Sequence, residues 1–405
     1  MFKLLEIKNK TKLNVLAGSY KLKIESNPIF NDISKEFLND LSKLLFNDKE
    51  IRKFADVTSF AFWTRKSNLD LIEKKIVDDK LRVGIGLVFH ITPTNVPINF
   101  CYSFAFGLLT GNSNIVKVPT IEFPQVHIVC KKIKNLFNFK KYLKLRDRNL
   151  FVRYNSDFED ITSIFSKDAD GRVIWGGDNS IKKIKKFKSK IDTTDIVFKD
   201  KYSFCILDSK KIINLNSKNL EKLLNLFYND TYTLDQNACS SPHLIIWKGS
   251  QLSTKKAKKV FWSKLNSIVE KKYNLEKTNS VDKYIKFCSN AIDLDYSDKY
   301  YSFKNLVNRL ELKKLPNDIS DLRGIFGYFY EYNCNNLKNF KKFINPKIQT
   351  ITYFGIDKTE LRNLIIKNNA TSVDRIVPVG NALNIGFTWD GHDIEKKLSK
   401  IIEIV

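Results

Sequence analysis

One cysteine in this chain sits in a setting unlike the others. Asp235-Gln236-Asn237-Ala238-Cys239-Ser240-Ser241-Pro242 places Cys239 in a small, polar, turn-forming context, just after an aromatic-rich helical run from Leu220 to Tyr232. A thiol that only packs has apolar neighbours. A thiol that reacts needs access, donors near its sulfur and preferably a helix N-terminus to lower its pKa. A thiolate adds well to a thioester or aldehyde carbonyl, and the sulfur-bound acyl group stays electrophilic enough to accept hydride. The bland alternative is a small buried thiol, a common fate of free cysteine. Cys101, Cys130, Cys205, Cys288 and Cys334 lie in apolar or ordinary polar surroundings and read as structural. No CxxC pair occurs and the 4 histidines lack zinc spacing, so no metal is expected. His243 could serve the thiol as a base or simply start a strand. His90 reads as a core residue, and His392 is ambiguous.

Three upstream features could support such chemistry. Asn95 sits in the turn Ile91-Thr92-Pro93-Thr94-Asn95-Val96-Pro97. A rigid asparagine amide can donate to the oxyanion formed when a thiolate adds to a carbonyl. It can equally bond its own backbone. Lys117 ends a strand, where a nucleotide would lie at the carboxyl edge of a parallel sheet, although surface lysines abound here. Trp175-Gly176-Gly177-Asp178 forms the next strand-to-helix turn, whose glycines admit phosphate and whose helix N-terminus favours anions. There is no strict GxGxxG. Gly84-Ile85-Gly86 lacks the third glycine and is expected inside a strand.

These residues need a scaffold. Apolar spacing predicts helices over 34–45, 51–63 and 69–76. The run from Leu81 to Ile91 suits one buried parallel strand. A helix from Asn99 to Leu109 follows, closed by Gly111-Asn112, and then a strand from Asn114 to Val118. Further strands are expected at 149–154, 172–175 and 202–207. Helices are expected at 126–136, 158–166 and 179–190, the last with Ile181, Ile184, Phe187 and Ile191 on one face. This is the βαβ alternation of a doubly wound domain. Downstream, strands are expected at 243–247, 326–332 and 348–354, a helix at 253–274, less regular chain at 284–312, and a terminal helix from about Asp393. The fold class is α/β. A helical N-terminal segment and dinucleotide-binding domain is expected over 1–203, and a catalytic domain over 204–405 whose C-terminal segment returns towards the first.

The 405 residues can bury a large core, and 43% hydrophobic content argues against extended disorder. No apolar run is long enough for a membrane span and no signal-peptide core appears, so a cytoplasmic protein with reduced thiols is expected. The net charge of +25 comes from 69 Lys+Arg against 44 Asp+Glu. Such charge can attract nucleic acid, anionic membrane or acidic ligands. Yet the excess is mostly lysine, beside abundant asparagine, isoleucine and phenylalanine, as AT-biased coding produces without selection for a partner. No specific nucleic acid is expected, and peripheral membrane contact stays open.

Taken together, Cys239, the Ile-Thr-Pro-x-Asn-x-Pro turn, Gly111-Asn112, Lys117 and the Trp-Gly-Gly turn resemble the aldehyde dehydrogenase superfamily. More closely, they are similar to the long-chain acyl-CoA reductases of bacterial bioluminescence. Phe60-Ala61-Phe62-Trp63-Thr64-Arg65, Val373-Asp374-Arg375-Ile376-Val377-Pro378-Val379-Gly380 and Trp389-Asp390-Gly391 extend the resemblance from about Ile51 to the C-terminus. It implies an aldehyde dehydrogenase-like fold, Cys239 as nucleophile and Asn95, with a backbone N–H at Cys239, as oxyanion donors. It implies cofactor contacts at Lys117, Trp175, Gly176, Gly177 and Phe326. The implied reaction is reduction of a long-chain acyl thioester to aldehyde by NADPH, with NADH as the alternative cofactor. The acyl donor is acyl-CoA or an acyl-protein synthetase partner, and a homo-oligomer is expected. Two departures stand out. The segment Val197-Phe198-Lys199-Asp200-Lys201 lacks the glutamate that activates water in hydrolytic relatives, which favours reduction over aldehyde oxidation. Arg323-Gly324-Ile325-Phe326-Gly327 has Gly324 where relatives carry a glutamate for the nicotinamide ribose. An oxidative aldehyde dehydrogenase, and a basic surface-binding protein without catalysis, remain the alternatives.

Overall fold

The computed structural model describes residues 2–3, 13–94, 96–293 and 297–404. The chain divides into two compact units, residues 1–199 with 392–405, and residues 200–391.

In the first unit the strands β1 (Asn14–Gly18), β2 (Leu87–Ile91), β3 (Ser113–Lys117), β4 (Asn149–Arg153), β5 (Gly171–Trp175) and β6 (Thr194–Phe198) form one sheet in the order β1-β4-β3-β2-β5-β6. All pairs are parallel except β1 with β4. Residues of β2 and β3 are buried on both faces, as expected of a parallel sheet covered by helices. Chain order reverses between β2 and β5. Such a switch point opens a crevice beyond the carboxyl ends of the strands, where Trp175-Gly176-Gly177 lies.

A buried polar chain ties that point to the middle of the sheet. The Trp175 indole N–H donates to the Ser103 hydroxyl at 3.1 Å. His90 Nδ1 meets the same hydroxyl at 2.8 Å and its Nε2 meets Asn114 Oδ1 at 3.0 Å. Asn114 donates on to Asn149 Oδ1 at 2.8 Å, and Asn149 to the Leu145 carbonyl at 2.7 Å. Because Asn114 Oδ1 only accepts, His90 carries its proton on Nε2. Burial depresses the His90 pKa to about 4, so it stays neutral. Gly107 makes room for this chain: a Cβ there would meet Asn114 Oδ1 at 2.0 Å. That accounts for a glycine inside the helix α2 (Asn99–Leu109), where it costs about 1 kcal/mol against alanine. The other helix used below is α3 (Asp178–Lys185); α1 spans Asp32–Phe46 and packs its Phe37 against Phe137 and Tyr142.

The expected single strand from Leu81 to Ile91 is instead two. Arg82–Gly84 pairs antiparallel with Ser399–Ile401, and the chain turns at Gly86, whose φ is +130°. A side chain at Gly86 would strike the Asp170 carboxylate at 2.2 Å, which takes the Leu87 N–H at 2.7 Å. The helix expected to Lys190 stops at Lys185. Arg172, paired with Asp195 at 2.7 Å, reaches the carbonyls of Ile184 at 3.5 Å and Phe187 at 3.4 Å and closes that end. Ile191 is fully exposed rather than on the apolar face.

In the second unit β7 (Tyr202–Asp208), β8 (Pro242–Lys248), β9 (Ser297–Phe303), β10 (Val307–Leu312), β11 (Tyr328–Cys334), β12 (Ile348–Phe354) and β13 (Arg375–Pro378) make a sheet ordered β9-β10-β11-β8-β7-β12-β13. Only the edge strand β9 is antiparallel to its neighbour. Helices α4 (Ser217–Thr231) and α5 (Gln251–Lys272) pack on one face through Phe227, Phe261 and Trp262. Among its described residues the stretch read as irregular holds regular elements: the end of α6 (Lys277–Asp293) and the hairpin β9–β10. Val281, Tyr284, Ile285 and Ile292 of α6 are exposed, so its apolar pattern does not report burial. The strand expected from Phe326 begins at Tyr328, because Phe326 and Gly327 adopt positive φ.

A fully buried carboxylate organises this core. Glu331 on β11 accepts from the indoles of Trp247 at 2.7 Å and Trp262 at 2.8 Å and from Arg309 at 3.1 Å. Removing it strands three donors, one of them charged. Glu331→Ala should therefore cost about 3–5 kcal/mol of stability, read as a lower midpoint in urea unfolding.

Candidate active site

The residues with chemical potential in the second unit gather at the amino edge of its sheet. Asp200 and Lys201 precede β7, Cys239 precedes β8, Arg323 precedes β11 and Asp374 precedes β13. Cys239 is half-buried in a turn in which the Ser241 N–H meets the Ala238 carbonyl at 2.9 Å. No helix starts here; the turn feeds β8, so no helix dipole acts on the thiol. Ser203 Oγ anchors the turn by donating to the Cys239 carbonyl at 2.7 Å.

The sulfur points to a carboxylate. Cys239 Sγ lies 3.7 Å from Asp200 Oδ1, and Asp200 Oδ2 is held by Arg323 at 3.1 Å. The same Arg323 nitrogen donates to the Lys201 carbonyl at 2.9 Å. Burial pushes the Cys239 thiol above its ordinary value, and Asp200 and Asp390 add to this; the Lys201 N–H and Arg323 pull the other way. The resting thiol is therefore protonated at neutral pH.

A second ring of charge surrounds this pair. Lys201 forms an ion pair with Asp374. Asp390, at positive φ, accepts from Gln349 at 2.6 Å, and burial raises its carboxyl to about 6. Arg375 lies 4.2 Å over the Trp389 ring and donates to the carbonyls of Asn381 and Ala382 at 3.2 Å and of Asn384 at 3.1 Å. The Asp374-to-Gly391 block noted in the sequence is thus one side of a network that ends beside Cys239.

No hydrogen bond among the described residues joins His243 to the thiol. The histidine donates from Nδ1 to the Gly324 carbonyl at 3.0 Å and stacks on Tyr202 at 5.4 Å. Burial depresses its pKa to about 3. Gly324 explains the missing acid in its segment: a Cβ there would sit 1.7 Å from the Tyr328 carbonyl. No side chain fits that backbone. Phe326 is half-buried with φ of 52°, and its N–H donates to the Asp235 carbonyl at 3.1 Å. Sequence reading gave no role to Asp200, Arg323 or Gln236. The acid and the arginine stood in quoted segments, yet only the fold brings them together.

In the first unit, Lys117 ends β3 and is buried, its ammonium 4.5 Å over the Tyr154 ring. No carboxylate among the described residues forms a salt bridge with it, and burial lowers its pKa to about 8. Trp175 stacks on Phe198 at 3.8 Å, and its N–H is spent on Ser103, so it forms a wall rather than a donor. Gly176 gives its N–H to the Phe198 carbonyl at 3.1 Å. Gly177 caps α3 at φ −73°, and a Cβ there would meet nothing within 4 Å. Neither backbone nor packing requires glycine at 177, so free space at a helix N-terminus fits an approaching phosphate. Asn95 lies outside the described residues.

A doubly wound sheet with a carboxyl-edge crevice and an α/β unit carrying an amino-edge thiol make up the aldehyde dehydrogenase-like fold, and solved structures agree. The chain is similar to the aldehyde dehydrogenase KauB of Pseudomonas aeruginosa at a TM-score of 0.62 and 13% identity, covering 91% of this chain and 83% of that one. It is similar to an oxidoreductase of Marinobacter aquaeolei at a TM-score of 0.63 and 12% identity, covering 95% and 87%. A mutant of proline utilization A from Bradyrhizobium japonicum matches at a TM-score of 0.62 and 11% identity; there this chain covers 91% of itself and spans only 42% of the larger protein. No curated protein matches the chain significantly. The model of one family, acyl-CoA reductase (LuxC), matches residues 65–399, and the chain belongs to that family. That family is one of reductases acting on acyl-CoA, and the fold and family imply a nicotinamide cofactor.

Arg323 offers a direct check of the thiol's electrostatics. Arg323→Met removes a charge that favours thiolate, so alkylation of Cys239 by iodoacetamide at pH 7 should slow. The midpoint of its pH profile should rise, followed by peptide mass spectrometry.

Proposed function

We propose that the protein reduces a long-chain fatty acyl thioester to the aldehyde, using NADPH. The observation that supports this best is Cys239: a half-buried thiol in an anchored turn, at the amino edge of a sheet, in a chain of the acyl-CoA reductase family. Cys239 attacks the thioester carbonyl, the oxygen takes up negative charge, and the tetrahedral adduct collapses with loss of the donor thiol. Asn95 and the N–H at Cys239 steady that charge, a role drawn from the family motif. The nicotinamide, when bound, supplies the hydride that converts the acyl group to the aldehyde level. Lys117 and the Gly176-Gly177 turn hold the cofactor's nucleotide portion: a buried cation with no salt bridge among the described residues and an open helix N-terminus suit ribose and phosphate. Phe326 would pack beside the nicotinamide end. Residues 197–201 lack the glutamate that activates water in hydrolytic relatives; the one acid there, Asp200, is shorter by a methylene and tied to Arg323, which favours reduction over hydrolysis of the acyl-enzyme. The acyl group arrives on CoA or on an acyl-protein synthetase partner.

The test is oxidation of NADPH with tetradecanoyl-CoA, with aldehyde trapped as product. Native protein should turn over, and Cys239→Ala should not. Cofactor binding without turnover in the native protein would redirect the search to a protein-bound acyl donor, whereas absence of cofactor binding would remove the oxidoreductase reading. A second outcome concerns Gly177. Gly177→Ala should cost under about 1 kcal/mol of stability, because its φ and surroundings admit a methyl group. It should nonetheless weaken NADPH binding measured by fluorescence titration, since the methyl group occupies the space left for phosphate.

A further inference from the structure

We propose that Asp200 is the proton acceptor for Cys239 and that Arg323 is the positioning residue that aims it. The inference rests on Cys239 being the nucleophile, as proposed above.

The carboxylate divides its two oxygens between two tasks. Oδ1 faces the sulfur at 3.7 Å, and Oδ2 is tied to Arg323 at 3.1 Å. Arg323 is itself fixed, because the same nitrogen donates to the Lys201 carbonyl at 2.9 Å. The sulfur-to-oxygen separation is long for a catalytic contact, and such contacts commonly tighten only when substrate is bound.

Electrostatics sharpens the argument. A resting thiolate would be repelled by Asp200, which raises the thiol's pKa along with burial. A site that worked by a standing thiolate would gain from losing this carboxylate. A site that removes the proton as the sulfur attacks needs an acceptor at this place. The other candidate base, His243, has no hydrogen bond to the sulfur among the described residues, and burial lowers its pKa to about 3, which makes it a weak acceptor. The neighbouring acids are engaged, Asp374 by Lys201 and Asp390 by Gln349.

The proton balance closes without another reactant. The Cys239 S–H bond breaks and the proton passes to Asp200. The sulfur electron pair forms the C–S bond to the acyl carbon, and the carbonyl π pair moves to oxygen. Collapse restores the carbonyl and breaks the bond to the departing thiolate. That thiolate takes the proton back from Asp200 and leaves as a thiol. Nothing is oxidised or reduced in this half-reaction, so it can be observed with no reductant present.

The two accounts give opposite signs for one substitution. Labelled tetradecanoyl-CoA is mixed with full-length protein without NADPH, and acyl transfer to protein is followed by rapid quench. Alkylation of Cys239 by iodoacetamide is measured in parallel at pH 7. Asp200→Asn should slow acylation by about a hundredfold while making alkylation faster, because a repelling charge is gone. Asp200→Glu should restore part of the acylation rate. Acylation of Asp200→Asn at or above the native rate would overturn the proposal. So would a parallel fall in acylation and alkylation, which would mark a structural role. Labelling of Cys239→Ala would instead show that the nucleophile itself is misassigned, and the proposal would fall with it. A silent Cys239→Ala beside a fully active Asp200→Asn would remove Asp200 alone.

Discussion

The second unit's site depends on one buried amide. Gln236 is fully buried; its Nε2 donates to the carbonyls of Pro242 and Tyr328, both at 3.1 Å, and its Oε1 accepts from the Gly327 N–H at 3.1 Å. It thereby joins the turn before β8 to the turn before β11. Both turns use left-handed backbone at residues other than glycine, with φ of 53° at Asp235, 63° at Gln236 and 52° at Phe326. Such conformations cost on the order of 1–3 kcal/mol each and persist only where surroundings over-determine them. The Phe326 N–H to the Asp235 carbonyl and the three bonds of Gln236 supply that determination. Losing the amide would leave buried carbonyls and an N–H unpaired, at about 1–3 kcal/mol each. Cys239 follows one turn and Arg323 precedes the other, so the amide sets where each can sit.

The two units use opposite edges of parallel sheets. In the first, the features suited to a nucleotide lie at the carboxyl ends of strands, beside a switch point, as open α/β sheets usually arrange them. In the second, the candidate site residues lie at the amino ends of the strands. The arrangement crowds charged side chains together in alternating signs: Asp200 with Arg323, and Lys201 with Asp374. The pairs screen one another and leave the thiol with a net push towards its neutral form. A thiol kept protonated at rest is shielded from adventitious oxidation and alkylation, because the thiolate is the reactive species.

Much of this was legible in the sequence because local pattern reports local burial. The strands at 113–117, 149–153, 171–175 and 348–354 were read nearly to the residue, and so were helix α2 and its closure at Gly111. The failures share a cause. Leu81 to Ile91 looks like one strand because all but Arg82 and His90 are apolar or glycine, but the break at Gly86 comes with Asp170, which is distant in sequence. The stretch 284–312 hid the end of a helix and a hairpin because α6 leaves apolar residues exposed and β9 is a polar edge strand. Asp200, Cys239 and Arg323 lie 39 and 123 residues apart by their hydrogen bonds, and no periodicity can report such a meeting. Gly324 is the clearest lesson. In sequence it reads as a lost acid; in the fold it is a position where any side chain would collide with the Tyr328 carbonyl.

Glycines in this chain therefore carry different kinds of information, and the fold separates them. Gly107 is required by the His90–Asn114 contact, Gly86 by Asp170, and Gly324 by Tyr328. Each is accounted for by an atom of the chain itself. Gly177 is not. Its φ of −73° suits any residue, and a Cβ would stand in open space. It caps a helix N-terminus at a switch point, beside a tryptophan wall fixed by a buried polar chain that runs across four strands. A serine or aspartate there would cap the helix better. A side chain at that cap would also occupy the place where the N-terminal N–H groups converge. The chain's own packing thus gives no reason for glycine at this position; the anion proposed to bind at these N–H groups would supply one, by coming closer than a side chain allows.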